Sequence, residues 1–146
     1  MSTSIDVYVG FGYDLGGDDA GWRLEGLGQW DSFDDLGLPW CPVGTDDGEF
    51  DEIIEAELQR GRPEHEVPSV RVVKYQHPDF SQYALIITES LITYYHGHAA
   101  RVLDPYTLQA QAFIKAWELD LRSALDRLGL TPIQGHGQWL LMSYRS

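Results

Sequence analysis

Hydrophobic residues occupy every second position from residue 5 to residue 13. Small or polar residues stand between them. A period of two places alternate side chains on the same face of a β-strand. The pattern therefore predicts a first strand whose apolar face carries Ile5, Val7, Val9, Phe11 and Tyr13.

A helical period follows near residue 50. Four hydrophobic residues recur there at spacings that place them on one face of an α-helix. Gly61 and Pro63 come directly afterwards, and both residue types commonly end helices. We expect an amphipathic helix near residues 49–60, with a buried face of Phe50, Ile53, Ile54 and Leu58.

Three more regions have the composition of strands. A β-branched run covers residues 70–75, and a run that is apolar on both faces covers 83–88 and continues, past a bulge, through 91–95. The last is at 138–144. The apolar run at 83–88 is typical of a strand in the middle of a sheet.

The strongest helical pattern lies at residues 105–128. Asp104 and Pro105 form an N-cap followed by proline at the first helical position, and Gly129 is suited to the end. The hydrophobic positions at helical spacing are Phe113, Trp117, Leu121, Leu125 and Leu128. We expect this stripe, with Trp117 at its centre, to be a major part of the core.

The order strand, helix, strand, strand, helix, strand predicts an α+β fold. In this order, βαββαβ, it is the arrangement of ferredoxin-like two-layer sandwiches, with an antiparallel sheet and both helices on one face. The alternative is another α+β sandwich with an extra hairpin. A length of 146 residues predicts one domain, 1–146, with a Gly/Asp/Trp-rich insertion at 14–48 after the first strand.

The formal net charge of −13 is unevenly distributed along the chain. Residues 1–66 contain 17 acidic residues and 3 arginines, whereas residues 67–146 contain 6 acidic residues and 7 basic ones. Such a field repels phosphate groups, so we expect no direct binding to nucleic acid or to anionic membranes. Attraction to a basic protein surface is favoured instead.

Aromatic residues interleave with the acids of the insertion, as expected for a binding face with hydrophobic anchors. We therefore interpret the chain as a small acidic interaction or regulatory protein, of accessory or inhibitor type, rather than an enzyme. An accessory protein of a phage or mobile element that mimics nucleic-acid charge has this layout. The predicted interaction face consists of Asp18, Asp19, Trp22, Trp30, Asp31, Phe33, Asp34, Asp35 and Trp40.

The alternative function is a small-ligand or divalent-metal-binding enzyme. His96 and His98 follow a strand, and two residues two positions apart in extended chain point to the same side, as an HxH metal-binding pair requires. His136, between two glycines, is the candidate third ligand. A zinc site normally needs three or four protein ligands at recognisable spacing, and only two histidines have that spacing here. We therefore expect that no cofactor is bound.

Cysteine content and hydropathy bear on the compartment. Cys41 is the single cysteine, so the chain has no internal disulfide, and we expect this thiol to be buried by packing. The first residues lack the pattern of a signal peptide, and no run of about 18 apolar residues follows. We expect a cytoplasmic protein without a membrane segment. Its oligomeric state does not follow from these patterns.

Overall fold

The computed structural model describes residues 5–17, 21–28, 30–77 and 79–145. Those residues form a mixed α+β structure with a six-stranded sheet and three α-helices. The strands are β1 (Ile5–Gly17), β2 (Gly21–Trp22), β3 (Val70–His77), β4 (Phe80–Ile87), β5 (Ile92–Tyr95) and β6 (Gln138–Arg145). The helices are α1 (Phe50–Gln59), α2 (Pro105–Ile114) and α3 (Trp117–Leu128).

The predicted α+β class is confirmed, and the ferredoxin-like order is not. The sheet has two more strands than the four of that order, and one contact in it, between β3 and β6, is parallel. The helix predicted near 49–60 is present as α1. The strand predicted to continue from 83–88 through 91–95 past a bulge is instead two strands, β4 and β5, separated by a short 3-10 turn at Thr88–Ser90.

Strand β1 is long enough to pair with different neighbours along its length. Residues 5–12 pair with β6 on one edge, and residues 6–9 pair with β5 on the other. From residue 12 to residue 17 the neighbour is β4, and β2 pairs with the last two residues. All of these pairings are antiparallel. The sheet is therefore built around β1, with β3 attached through β4.

The change of partners takes place where β1 contains glycine. A Cβ atom at Gly12 would lie 1.9 Å from the carbonyl oxygen of Leu85, and one at Gly10 would lie 2.6 Å from Cγ2 of Ile86. Only glycine permits this approach. The sheet curls here, so that β6 reaches β3 where Gln76 pairs with Tyr144. The enclosed face holds a small cluster of Val73, Ala84, Ile86 and Met142.

Helices α1 and α3 pack on the opposite face of the sheet and enclose the main core. The insertion after β1 is tied to this core by its aromatic rings. The ring of Trp22 stacks on that of Tyr83 at 5.8 Å, and Phe33 meets Phe50 edge to face at 4.0 Å. Cys41 is buried in the same cluster, as the sequence predicts.

The single helix predicted at 105–128 is interrupted. Helix α2 ends at Ile114, and α3 begins at Trp117 after Ala116 adopts φ of +51°. A left-handed residue cannot continue an α-helix, so the two helices take different directions. As a result Phe113, expected in the core, is 87% exposed, whereas Trp117 is 3% exposed.

We expect Trp117→Ala to lower the free energy of unfolding by about 3–5 kcal/mol, because it removes a buried aromatic side chain. The Trp117 ring contacts those of Phe11 and Trp139, with centroids 5.8 and 5.9 Å away. Urea unfolding followed by circular dichroism measures the change. The matched control is Leu119→Ala, at a position 70% exposed on the same helix, which should cost less than about 0.5 kcal/mol. Equal losses in both variants would contradict the packing described here.

Candidate interaction surface

Three carboxylates of the insertion are held by backbone amides of their own loop. Asp31 Oδ2 accepts a hydrogen bond from Gly28 N at 2.6 Å. Asp34 Oδ2 accepts one from Gly44 N at 2.9 Å, and Asp35 Oδ2 accepts one from the backbone N–H of Ser32 at 2.9 Å. Asp and Asn side chains close turns in this way. The carboxylates are thus fixed in position.

Asp34 also interacts with the side chain of Ser32. Hydrogen bonds from that side chain and from the Gly44 amide favour the ionised form and hold the pKa of Asp34 below its usual value. Its carboxylate is therefore charged at neutral pH.

The described acids of this region have no cationic partners. Among residues 21–28, 30–46 and 48–56, no carboxylate forms a salt bridge. The cation in that part of the chain is Arg23, which lies 3.4 Å from Asp14 of β1. The charge of the insertion is therefore left to solvent and counterions.

The aromatic residues predicted for the interaction face separate into two groups. Trp22 and Phe33 are buried in the core, and Trp40 is half-buried with its indole N–H donating to Leu128 O at 2.8 Å. They fasten the insertion to the body of the protein, so these three side chains are not surface anchors. Trp30 is 87% exposed. The alternation of aromatic and acidic residues in the sequence did not distinguish aromatic side chains that pack into the core from those that are exposed to solvent.

An exposed aliphatic residue that the sequence reasoning missed lies beside the same acids. Val43 is 98% exposed and directly precedes Gly44, whose amide binds Asp34. We use the term acidic surface for Trp30, Asp31, Asp34, Asp35 and Val43. The predicted face residues Asp18 and Asp19 lie outside the described residues.

The predicted histidine pair lies in a turn rather than in extended chain. His98 N donates to Tyr95 O at 3.1 Å, and Gly97 has φ of +89°. Residues two positions apart point to the same side only in an extended chain, so the turn removes the basis for the predicted pairing of His96 with His98. The ring of His98 packs edge-on against those of Tyr94 and Tyr95. We call residues 95–98 the histidine turn.

The candidate third ligand, His136, lies further along β1, near the level of Gly12. The strand after it begins at Gln138, which pairs with Gly12, whereas the histidine turn begins at the residue paired with Asp6. Gly12 and Asp6 are six residues apart on β1, which corresponds to about 20 Å along the strand. Within the described residues, no group of three or more His, Cys, Asp or Glu side chains is placed to hold a metal ion.

Glu118 fixes the loop that carries His136. Its Oε2 accepts from Gly137 N at 2.9 Å, and its Oε1 accepts from the hydroxyl of Tyr13 and from Arg122 Nε. Burial raises the pKa of Tyr13 to about 12, and the hydrogen bond to Glu118 acts in the same direction. This network joins α3 to the sheet.

A depression of about 610 Å³ lies between α1 and β3. Glu55 Oε1 accepts from Val72 N at 2.9 Å, so this carboxylate covers the edge of β3, and burial raises its pKa. The remaining charges on the walls are of both signs, which gives the depression no field that selects an anion or a cation. They are Asp51, Glu52, Arg71 and Lys74.

Comparisons with protein-family models, with curated proteins and with solved structures found no match to this chain. Within the described residues, no helix has the length and apolar character needed to cross a membrane. The function is therefore argued from the surface itself.

Because His136 is remote from the histidine turn, we expect His136→Ala to leave any divalent-cation affinity of the protein unchanged. Calorimetric titration with Zn²⁺ and Ni²⁺ measures this, and His96→Ala/His98→Ala is the comparison variant. A loss of affinity in His136→Ala as large as in that double variant would show that the three side chains share one ion.

The raised pKa of Tyr13 predicts a loss of stability at alkaline pH. The folded state holds the phenol proton more tightly than the unfolded state, whose value is near 10. The resulting stabilisation is complete below about pH 10 and disappears as the pH rises through about 12. In Tyr13→Phe we expect a lower free energy of unfolding at pH 8 and a smaller decrease between pH 10 and 12.

Denaturant unfolding at several pH values tests this expectation. Tyr95→Phe is the matched control, since Tyr95 is exposed. It should behave as the wild type throughout. An identical alkaline decrease in Tyr13→Phe and in the wild type would contradict the assignment to Tyr13.

Proposed function

We propose that the chain is an acidic binding protein, of accessory or inhibitor type, that docks on a basic protein surface through the acidic surface. The observation that carries the proposal is the set of unpaired carboxylates at residues 31, 34 and 35 beside two exposed hydrophobic side chains, Trp30 and Val43. The single buried cysteine agrees with action in the cytoplasm.

Uncompensated charge favours a basic partner. Carboxylates kept together without cations repel one another, and a partner that carries Lys or Arg relieves this repulsion on binding. Complementary potentials also steer the two proteins together and raise the association rate. The half of the chain after residue 66 has nearly balanced charge and supplies no such field.

The exposed hydrophobic residues supply the part of binding that charge does not. Tryptophan is enriched among the residues that dominate protein interfaces, and Trp30 is the aromatic residue of the acidic surface. Its indole is large enough to fill a pocket on a partner. We therefore expect Trp30 to slow dissociation of the complex and the carboxylates to speed its association.

The backbone hydrogen bonds of the carboxylates prepare the acidic surface for binding. Asp31, Asp34 and Asp35 are already held by the amides of Gly28, Gly44 and Ser32. Less conformational freedom remains to be lost when a partner binds. Asparagine has an oxygen in the equivalent position, so Asp→Asn changes remove charge and keep the turn.

The experiment compares the wild type with Asp31→Asn/Asp34→Asn/Asp35→Asn. Both are immobilised and exposed to a lysate of the source organism, and proteins retained by the wild type alone are purified. We expect their association rate to fall roughly tenfold or more between about 50 and 500 mM NaCl, because the Debye length shrinks below the size of the charged area. The triple variant should slow association similarly at low salt.

Two controls make the result specific. Glu64→Gln/Asp120→Asn/Asp126→Asn removes the same charge from exposed positions elsewhere and should have a smaller effect. Trp30→Ala should mainly accelerate dissociation. A purified partner whose association rate does not change with salt would refute the proposal, as would retention of the same proteins by both immobilised forms.

We also propose that the architecture is an elaborated ferredoxin-like sandwich. The pairing of β1 with β6 and β4, and of β4 with β3, supports the order β6-β1-β4-β3 for the four strands of that fold. The positions of α1 and α3 on one face agree with it. Strands β2 and β5 are then additions. An experimental structure in which β1 does not lie between β4 and β6 would exclude this relationship.

A further inference from the structure

The apolar face of β1 continues beyond the part that the helices cover. Phe11 and Tyr13 are buried against the helix layer, whereas Val7 and Val9, on the same face, are half-buried. Ile5, the first residue of the stripe, is 47% exposed. A strand face without a covering layer leaves apolar area in water. This end of the sheet therefore lacks the second layer that the other end has.

The uncovered face forms a shallow apolar groove of about 320 Å³. Val7 and Val9 of β1 and Ile92 of β5 line its floor, with Leu141 of β6 and Leu103 at its borders. Leu141 is 76% exposed. The groove contains no carboxylate among its described lining residues, although the chain as a whole is strongly acidic.

Helix α2 borders this groove and has an unusual surface. It contains ten residues without a charge, and only Ala112 is buried. Its outward ridge carries Tyr106, Ala110, Phe113 and Ile114, at spacings that place them along one side of the helix. A surface helix normally turns its polar side to water. Helix α2 instead exposes its hydrophobic side to solvent.

The helix and the groove lie next to each other. A second depression, lined by Thr107, Leu108 and Gln111 of α2, shares Ile92 and Leu103 with the groove. One copy of the chain therefore presents a sheet face that lacks a helix, and beside it a helix that lacks a covering. Such a pair is self-complementary, as a two-fold interface requires, since each element of one copy fits the other element of its partner.

Charge and area both favour a second copy as the occupant. The groove lies at Val7 and Val9, and the insertion with the acidic surface follows the far end of β1 at Gly17, about 30 Å away along the strand. Pairing through the groove keeps the acidic surfaces of two copies at the outer ends. Tyr106 and Phe113 alone supply roughly 300–400 Å² of surface.

A stable interface needs about 800 Å² on each partner. Five further hydrophobic residues, in β1, in β6, in α2 and in the segment before α2, have exposed side chains that add to this area. They are Ile5, Val102, Leu103, Ile114 and Leu141.

We propose that the chain forms a two-fold dimer in which the outer ridge of α2, with Phe113, covers the open sheet face of the other copy at Leu141. This inference is independent of the basic partner, because it uses the opposite end of the molecule. The dimer displays two acidic surfaces, one on each copy.

The test measures the mass of the full chain by sedimentation equilibrium up to about 200 µM, above the micromolar Kd of a weak interface. We expect a dimer for the wild type. Phe113→Lys and Leu141→Glu each place a charge in the proposed contact, and each should weaken dimerisation roughly 100-fold. Both positions are exposed in the monomer, so the circular dichroism spectrum should be unchanged, as should the Tm measured at concentrations far below the dimer Kd.

Mixing the two variants gives the decisive result. In a two-fold dimer the new lysine of one copy faces the new glutamate of the other, and the second contact keeps the wild-type residues. We therefore expect equimolar Phe113→Lys and Leu141→Glu to form a heterodimer although neither variant dimerises alone. Val67→Glu changes an equally exposed hydrophobic residue elsewhere and should remain a dimer.

Three outcomes would overturn the proposal. The first is a wild type that stays monomeric over the whole concentration range. The second is a dimer that neither substitution weakens. The third is a pair of variants that both lose dimerisation and do not recover it on mixing, which would place Phe113 and Leu141 in different contacts or assign the face to another protein.

Discussion

The close approach of β4 to β1 at Gly12 is the constraint on which the other features of the structure depend. With the carbonyl of Leu85 where a side chain would otherwise stand, β1 passes from one pair of neighbours to another without ending. The sheet then curls, and its two faces receive different roles. One face encloses the small cluster around Met142, and the other receives the helices over only part of its length.

That geometry also separates the two surfaces for which roles are proposed. The insertion leaves from the carboxyl end of β1 and carries the unpaired acids, while the amino end of β1 contributes the open apolar face. Helix α2, which turns away from α3 at Ala116, lies at the apolar end. A strongly acidic chain can thus present an apolar area that has Arg101 but no carboxylate among its described lining residues, because the acidic surface and the exposed hydrophobic residues lie towards opposite ends of one strand.

Periodicity predicted the elements, and the cases in which it failed have physical causes. The alternation in β1 and the helical stripe of α1 were confirmed because each has one buried face that imposes a period. The interruption at Ala116 has no signal in the sequence, since alanine is the best helix former and the stripe continues through it. The predicted position of Phe113 was wrong for that reason.

The candidate site was predictable in its charge and less so in its side chains. The acids at 31, 34 and 35 were found from composition, but the burial of Trp22 and Phe33 depends on tertiary contacts that no local pattern records. The relation of His96 to His98 depended on an extended backbone, and Gly97 replaces it with a turn. The distance to His136 follows from sheet register, which is set by pairings between residues far apart in sequence.

The carboxylates that close the loop turns have an implication for how this surface evolves. At Asp31, Asp34 and Asp35 the backbone requires an oxygen acceptor, and it does not require a charge. Asparagine meets the structural requirement, and serine meets it more weakly. Single codon changes therefore adjust the electrostatic potential in steps while the loop keeps its shape. A change of charge at these positions therefore costs the fold less than most substitutions in a surface loop that needs a fixed shape.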